Sequence, residues 1–220
     1  KHAGPALQKA DVGAQGRSIG LGEAARLIIG DSRLRAVAVA MVLPQIVHRV
    51  FENLILPFFA KNVLGHSALS AALLSASNLG ELLGASLLLR WATRLPGPYR
   101  WVRWGAYGAV GAWALSISSV LGLSGLAGLA LLAPLIVLFS GSWAGSHLSL
   151  ESEIQKRVEP HWQPRIFGLL YGAYVVGAAL ISFAIGWAFD ALSLNSSLLI
   201  LNVAVTFVGL AGWWASRRLR

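Results

Sequence analysis

Apolar residues arrive in this chain in blocks of about twenty, and that block length constrains the fold more than any single motif does. A helix rises ~1.5 Å per residue, so one block crosses the ~30 Å hydrocarbon core of a bilayer. Six blocks fall at about 35–60, 67–89, 101–121, 125–150, 165–190 and 194–216. Strand-like alternation is absent from them, which excludes an outer-membrane barrel. Charged residues make up 12% of the chain, against roughly 25% in a soluble domain, too few to coat a water-facing surface. The sequence therefore reads as an all-α polytopic membrane protein with a six-helix transmembrane domain over 34–220.

Residues 1–33 precede this domain and read as a cytoplasmic linker. The opening "KHAGPALQKADVGAQGRS" is polar and Gly-rich, lacks the apolar core of a secretory signal, and starts on Lys1, so it is expected to be an internal segment of a longer protein. Further on, Leu21, Ala24, Ala25, Ile28 and Ile29 recur at helical spacing. That pattern suits an amphipathic helix lying along the membrane interface, or equally a solvated linker helix.

Basic residues set the expected orientation, because Lys and Arg flanks stay on the cytoplasmic side. Lys1, Lys9, Arg17, Arg26, Arg33 and Arg35 lie in or beside the linker. Arg90, Arg94, Arg100 and Arg103 follow the second block, Lys156, Arg157 and Arg165 follow the fourth, and Arg217, Arg218 and Arg220 end the chain. Only Arg49 and Lys61 fall elsewhere, so both termini are expected in the cytoplasm, with the domain in a cell membrane of the bacterial inner-membrane type. A net charge of +9 divided among membrane-flanking clusters speaks for topology and contact with a lipid bilayer, and no compact basic domain exists to bind nucleic acid. The absence of cysteine excludes disulfides and thiolate metal sites. No phosphate-binding glycine loop, no metal-spaced His/Asp/Glu motif and no Ser-His-Asp pattern stands in the sequence, so neither an enzyme nor a resident cofactor is expected.

Against this background the stretch "HRVFENLILP" (48–57) is anomalous. On a helical wheel Gln45, His48, Arg49, Glu52 and Asn53 fall in one stripe, while Ile46, Val47, Val50, Phe51, Leu54 and Ile55 occupy the other side. An ionised group at the bilayer centre costs ~2.5–3.5 kcal/mol on insertion scales, so Arg49 needs a partner or water, and Glu52 is the nearest candidate. Either the pair fixes helix packing alone, or the stripe lines a cavity that meets solute or protons. The second block carries Ala72, Ala76, Gly80 and Gly84 as a small-residue ridge for close helix approach, with Ser77, Asn78 and Glu81 beside it. Glu81 counts to about the depth of Gln45. Ser140, Trp143 and His147 share a face of the fourth block, Tyr171 and Tyr174 one of the fifth, and Asn202 and Thr206 one of the sixth. Of these only Trp143 and Tyr174 are taken as cavity-lining, the rest as packing, and Gly141, Gly145, Gly168 and Gly172 as packing points.

The inner loop "GASLLLRWATRLPGPYR", with Gly84, Arg90 and Arg94, and the passage "ESEIQKRVEPHWQPRIFGLLYGAYVVG", with Glu151, Gln155, Pro160, Arg165, Phe167 and Gly168, resemble the C-terminal half of a major facilitator superfamily transporter. "GWAFD" (186–190) is similar to the outer end of the eleventh span in that family, and "NLILPFFAKNVLGHSALSAALLSASNLGELLGA" looks most like its drug- and metabolite-efflux branch. Leu88 and Leu89 stand where the family's loop often carries an Asp before its Arg. The resemblance implies two three-helix inverted repeats, divided near Gly122–Gly125, and a substrate site between this half and a missing N-terminal half. It further implies efflux of a small organic solute by alternating access with protons as coupling ion. Gln45, His48, Arg49, Glu52, Asn53, Asn78, Glu81, Trp143 and Tyr174 are then the expected substrate and proton pathway. The rival expectations are a non-transporting membrane scaffold or partner subunit, and the membrane half of an ATP-driven exporter.

Overall fold

The computed structural model describes residues 20–91, 122, 124–193, 196, 198–200, 202–204, 206–207, 210–211 and 214. Among the described residues every regular element is helical. The order is α1 (Leu21–Gly30), α2 (Ser32–Val50), a π-helical turn (Phe51–Ile55), α3 (Leu56–Asn62), α4 (Leu69–Trp91), α5 (Gly125–Arg157) and α6 (Gln163–Ala191). Four runs are long and apolar enough to cross a membrane: Ser32–Asn62, Leu69–Arg90, Gly125–Arg157 and Gln163–Ala191. They coincide with the first, second, fourth and fifth apolar blocks, and they make the chain a helical membrane protein. The expected third span, 101–121, lies outside the described residues, and with it the pairing of two three-helix repeats. Described positions of the last block are helical, and Leu198 and Asn202 are buried.

Local chemistry explains the helix ends. Asp31 caps α2: its carboxylate accepts hydrogen bonds from the backbone N–H of Arg33 at 2.7 Å and of Leu34 at 3.1 Å, satisfying two donors that a helix start leaves free. Gly65, at φ +81°, turns the chain out of α3 in the left-handed region that a side chain disfavours. α5 runs past the expected end at Leu150 because Ile154 is buried and Glu153 pairs with Arg157 one turn on, at 2.6 Å. It stops at Val158, before Glu159-Pro160, where a proline disfavours helix in the residue ahead of it. Gln163 then donates to the carbonyls of Gln155 and Val158 and ties the start of α6 to that end.

Packing follows the small residues. A Cβ added at Gly80 would collide with the backbone carbonyl of Val137, and one at Gly84 with that of Gly141, so α4 and α5 cross in direct backbone contact. The ridge read from the sequence is the contact surface. Gly141 belongs to it, whereas a Cβ at Gly168 or Gly172 would meet nothing within 4 Å. Those two glycines are therefore not packing points among the described residues.

The α2–π–α3 run is the most enclosed of the four, with 61% of its most apolar window buried, and it lies against α4, α5 and α6. One core cluster gathers Val50, Phe51, Ile55, Leu56 and Phe59 with Leu73 of α4 and Leu132 and Ile136 of α5. A second cluster joins Ala24 and Ile28 of α1 to Val37 and Met41 of α2, Leu150 and Ile154 of α5 and Ile166 of α6. α1 is thus docked on the bundle through Ala24 and Ile28. The same cluster brings the beginnings of α2 and α6 and the end of α5 together, so Arg26, Arg33, Arg35, Lys156, Arg157 and Arg165 share one end of the bundle. α6 sits at the periphery with 11% of its window buried and presents Val175, Val176, Leu180, Phe183 and Trp187 outward, an apolar face suited to lipid or another helix.

Candidate functional site: a buried histidine between two glutamates

Pro57 shapes the backbone that carries the site. Its ring excludes the carbonyl of the residue four positions back, Asn53, and it supplies no N–H. The helix widens there into the π turn Phe51–Ile55, closed by the Leu56 N–H on the Phe51 carbonyl. A π turn displaces the helical register of the residues beyond it, and such turns are frequent at functional sites. Glu52 lies inside it, with His48 and Arg49 immediately ahead.

His48 is wholly buried. Its ring lies on Trp143 of α5 with centroids 3.9 Å apart and planes 13° from parallel, and Phe139 stacks at 5.8 Å. Nδ1 is 3.5 Å from Glu52 Oε2, and Nε2 is 3.6 Å from Glu81 Oε1 on α4. Both separations exceed hydrogen-bonding distance, and neither nitrogen has a hydrogen-bond partner among the described residues. Gln45, one turn earlier, likewise buries a carbonyl oxygen without a partner.

Glu52 is held from two sides. Ser77 Oγ donates to Glu52 Oε1 at 2.8 Å, and Arg49 Nη1 approaches Glu52 Oε2 at 3.4 Å. Ser77 also lies 2.7 Å from Ser140 Oγ. A hydroxyl has one proton, and that of Ser77 is committed to the carboxylate, so Ser140 is the donor to Ser77. The glycine contact between α4 and α5 is what brings these serines together. Glu81 keeps a 34% exposed side chain and Arg49 a 44% exposed one, so the cluster reaches from the protein interior to its surface.

The nine residues expected along a pathway separate into three groups. His48, Glu52, Glu81 and Trp143 converge, with Arg49 at the margin and Gln45 one turn below. Asn53 is exposed and lines another feature, an open groove of about 800 Å³ with Pro57, Phe58, Lys61, Phe189 and Asp190. Asn78 is exposed, and Tyr174 is half-buried, edge-on to Tyr171 at 5.7 Å. The side opposite the stripe is packed on protein: Ile46, Val50, Phe51 and Ile55 are core residues, whereas Arg49 and Asn53 of the stripe are exposed.

Two readings of the sequence need correction. Ser140, His147 and Tyr171 are expected only to pack, yet Ser140 enters the Glu52 network. His147 stacks on Trp143 at 5.3 Å and lies 3.3 Å from Glu151, whose carboxylate also accepts from the Tyr171 hydroxyl. The aromatic pair Trp143–His147 thus joins two acid–histidine groups along α5. The absence of a metal-spaced motif is also uninformative: donor atoms of His48, Glu52 and Glu81 all lie within 4.8 Å of one another. Glu81 reaches the other two across a helix–helix contact, which linear spacing cannot reveal. Pro57 is the one sequence signal of the π turn, and Ser77, four residues before Glu81, the one signal of the serine contact. Compared with known proteins, the chain matches no family model, no curated protein and no solved structure.

Proposed function

We propose that this chain is the C-terminal half of a secondary transporter that moves a small organic solute by alternating access, in exchange for protons. One observation carries the reading: His48, Glu52 and Glu81 converge midway along membrane-length helices, open to the surface at Glu81 and Arg49. Ionisable groups at that depth cost ~2.5–3.5 kcal/mol each on insertion scales and mark solute or ion pathways. An assembly role needs only the Arg49–Glu52 pair and gives no reason for a buried histidine and a second carboxylate. The close α4–α5 crossing supports a rigid element that can rock as a unit, and the apolar outer face of α6 suits lipid or a second half. In this reading the basic end of the bundle is cytoplasmic.

The test is counterflow in proteoliposomes holding the complete protein, with a panel of small organic solutes and an imposed proton gradient. Gradient-driven accumulation of at least one solute is expected, with a loss of tenfold or more in the Glu81→Gln variant. Flux no higher than in empty vesicles across the panel would overturn the transporter reading. Undiminished gradient-driven flux in Glu81→Gln would remove Glu81 from it.

A further inference from the structure

We propose that His48, Glu52 and Glu81 form a binding site for a first-row divalent metal cation of the zinc or manganese class. The inference stands apart from transport, since it concerns what the three side chains hold and not what crosses the membrane.

Their geometry carries it. Ligand atoms ~2.0–2.1 Å from a tetrahedral metal lie about 3.4 Å from each other. An imidazole ligates one ion through one nitrogen, so either the 3.5 Å from Nδ1 to Glu52 or the 3.6 Å from Nε2 to Glu81 is the edge close to that length, and the other carboxylate must swing towards the same nitrogen. Two carboxylates and an imidazole with donor atoms all inside 4.8 Å need little closure to share one ion.

Burial carries it further. A polar side chain left unsatisfied in the interior costs about 1–3 kcal/mol, and His48 buries both nitrogens without a hydrogen bond among the described residues. Its position is nevertheless fixed by the Trp143 stack, so the ring plane is set without a hydrogen bond to either nitrogen among the described residues. Glu52 is positioned in turn by the Ser77 hydroxyl, the outer support that ligating carboxylates have in metal sites. The mixed nitrogen and oxygen donors select the metal class: imidazole suits zinc and its first-row neighbours, whereas magnesium and calcium prefer oxygen alone. Arg49 bears on the affinity, because its guanidinium lies 3.4 Å from a ligating carboxylate and opposes a second positive charge.

The experiment uses Co²⁺ as a spectroscopic probe on the purified full-length protein in detergent, free of any histidine tag and of chelating buffer. Calorimetry gives stoichiometry and affinity, and visible absorption reports coordination. The expected result is one Co²⁺ per chain with the intense band of a four- or five-coordinate site. His48→Gln and Glu81→Gln should each weaken binding at least tenfold, and Arg49→Gln should tighten it about tenfold. That gain cannot come from a misfolded variant. No saturable Co²⁺ binding, binding unchanged in His48→Gln, or weaker binding in Arg49→Gln would each overturn the proposal. Co²⁺ binding without solute flux would sink the transporter reading alone, and flux without Co²⁺ binding would sink this one alone.

Discussion

The imidazole of His48 lies nearly parallel to the indole of Trp143, ring centroids 3.9 Å apart, and neither histidine nitrogen has a hydrogen bond among the described residues. The stack supplies what hydrogen bonds ordinarily would: it fixes the ring plane and so the direction in which both nitrogens point. Indole is the larger partner and also carries His147 at 5.3 Å, so Trp143 orders two histidines at once.

Truncating that indole removes packing from both rings. Trp143 is partly exposed, so Trp143→Ala should destabilise the protein by less than the ~3–5 kcal/mol of a fully buried aromatic. Trp143→Phe keeps an aromatic face and should cost about half as much. Thermal unfolding in detergent, followed by loss of helical circular dichroism, gives the ranking. Equal midpoints for the two variants would show that an aromatic face at this position contributes nothing to stability.

The two serines should differ in cost. Ser77→Ala deprives the buried Glu52 carboxylate of its short hydrogen bond and should cost about 1.5–3 kcal/mol, the range for bonds to charged groups. Ser140→Ala removes only a neutral hydroxyl donor to Ser77 and should cost about 0.5–1.5 kcal/mol. Denaturant midpoints of the two single variants decide the order, and a reversed order would mean that Ser140 is the residue supporting the carboxylate.

Backbone contact between α4 and α5 predicts a sharp contrast among glycines. Gly84→Val must push the helices apart against the Gly141 carbonyl and should destabilise by about 1–3 kcal/mol. Gly172→Ala meets open space and should be neutral or stabilising by up to about 1 kcal/mol, because alanine favours helix over glycine. Melting temperatures of both variants test the pair together.

Asp31 gives a pH dependence outside the membrane-spanning helices. The backbone N–H groups of Leu34 and Arg33 hold its carboxyl below the ordinary value of 3.8. A depressed folded-state pKa contributes stability above the unfolded value, and that contribution is lost as pH falls through the folded value. The first turn of α2 should therefore loosen below about pH 4. Amide hydrogen exchange at Arg33 and Leu34 should accelerate there, beyond the intrinsic trend. Asp31→Asn, which still caps, should abolish that transition, while Asp31→Ala should cost about 1 kcal/mol at neutral pH.

Much of the architecture was legible in one dimension. The apolar blocks located four helices, three of them to within about three residues at both ends and α5 at its start, since crossing ~30 Å of hydrocarbon leaves few alternatives to a helix of about twenty residues. The ridge of Ala72, Ala76, Gly80 and Gly84 announced a close crossing, because residues four apart stack on one helix face. His48 and Glu52 were recognisable for the same reason. Even the extension of α5 to Arg157 had a local cause, the Glu153–Arg157 spacing, although a hydropathy reading ends at Leu150.

Partnership was another matter. Sequence periodicity determined that His48 and Glu52 share a face, but not that Glu81 from α4 and Trp143 from α5 would meet them there. It placed Phe51 and Ile55 opposite the polar stripe without telling that protein covers them. Wheels assume an unbroken turn of 3.6 residues and say nothing of neighbours, whereas the proline-induced π turn and the glycine-mediated crossing act through backbone carbonyls in three dimensions. What the sequence determined was therefore the set of apolar helices and the polar residues they carry. Only the tertiary structure decided which of those polar residues touch, because that depends on where two helices can approach without side chains between them.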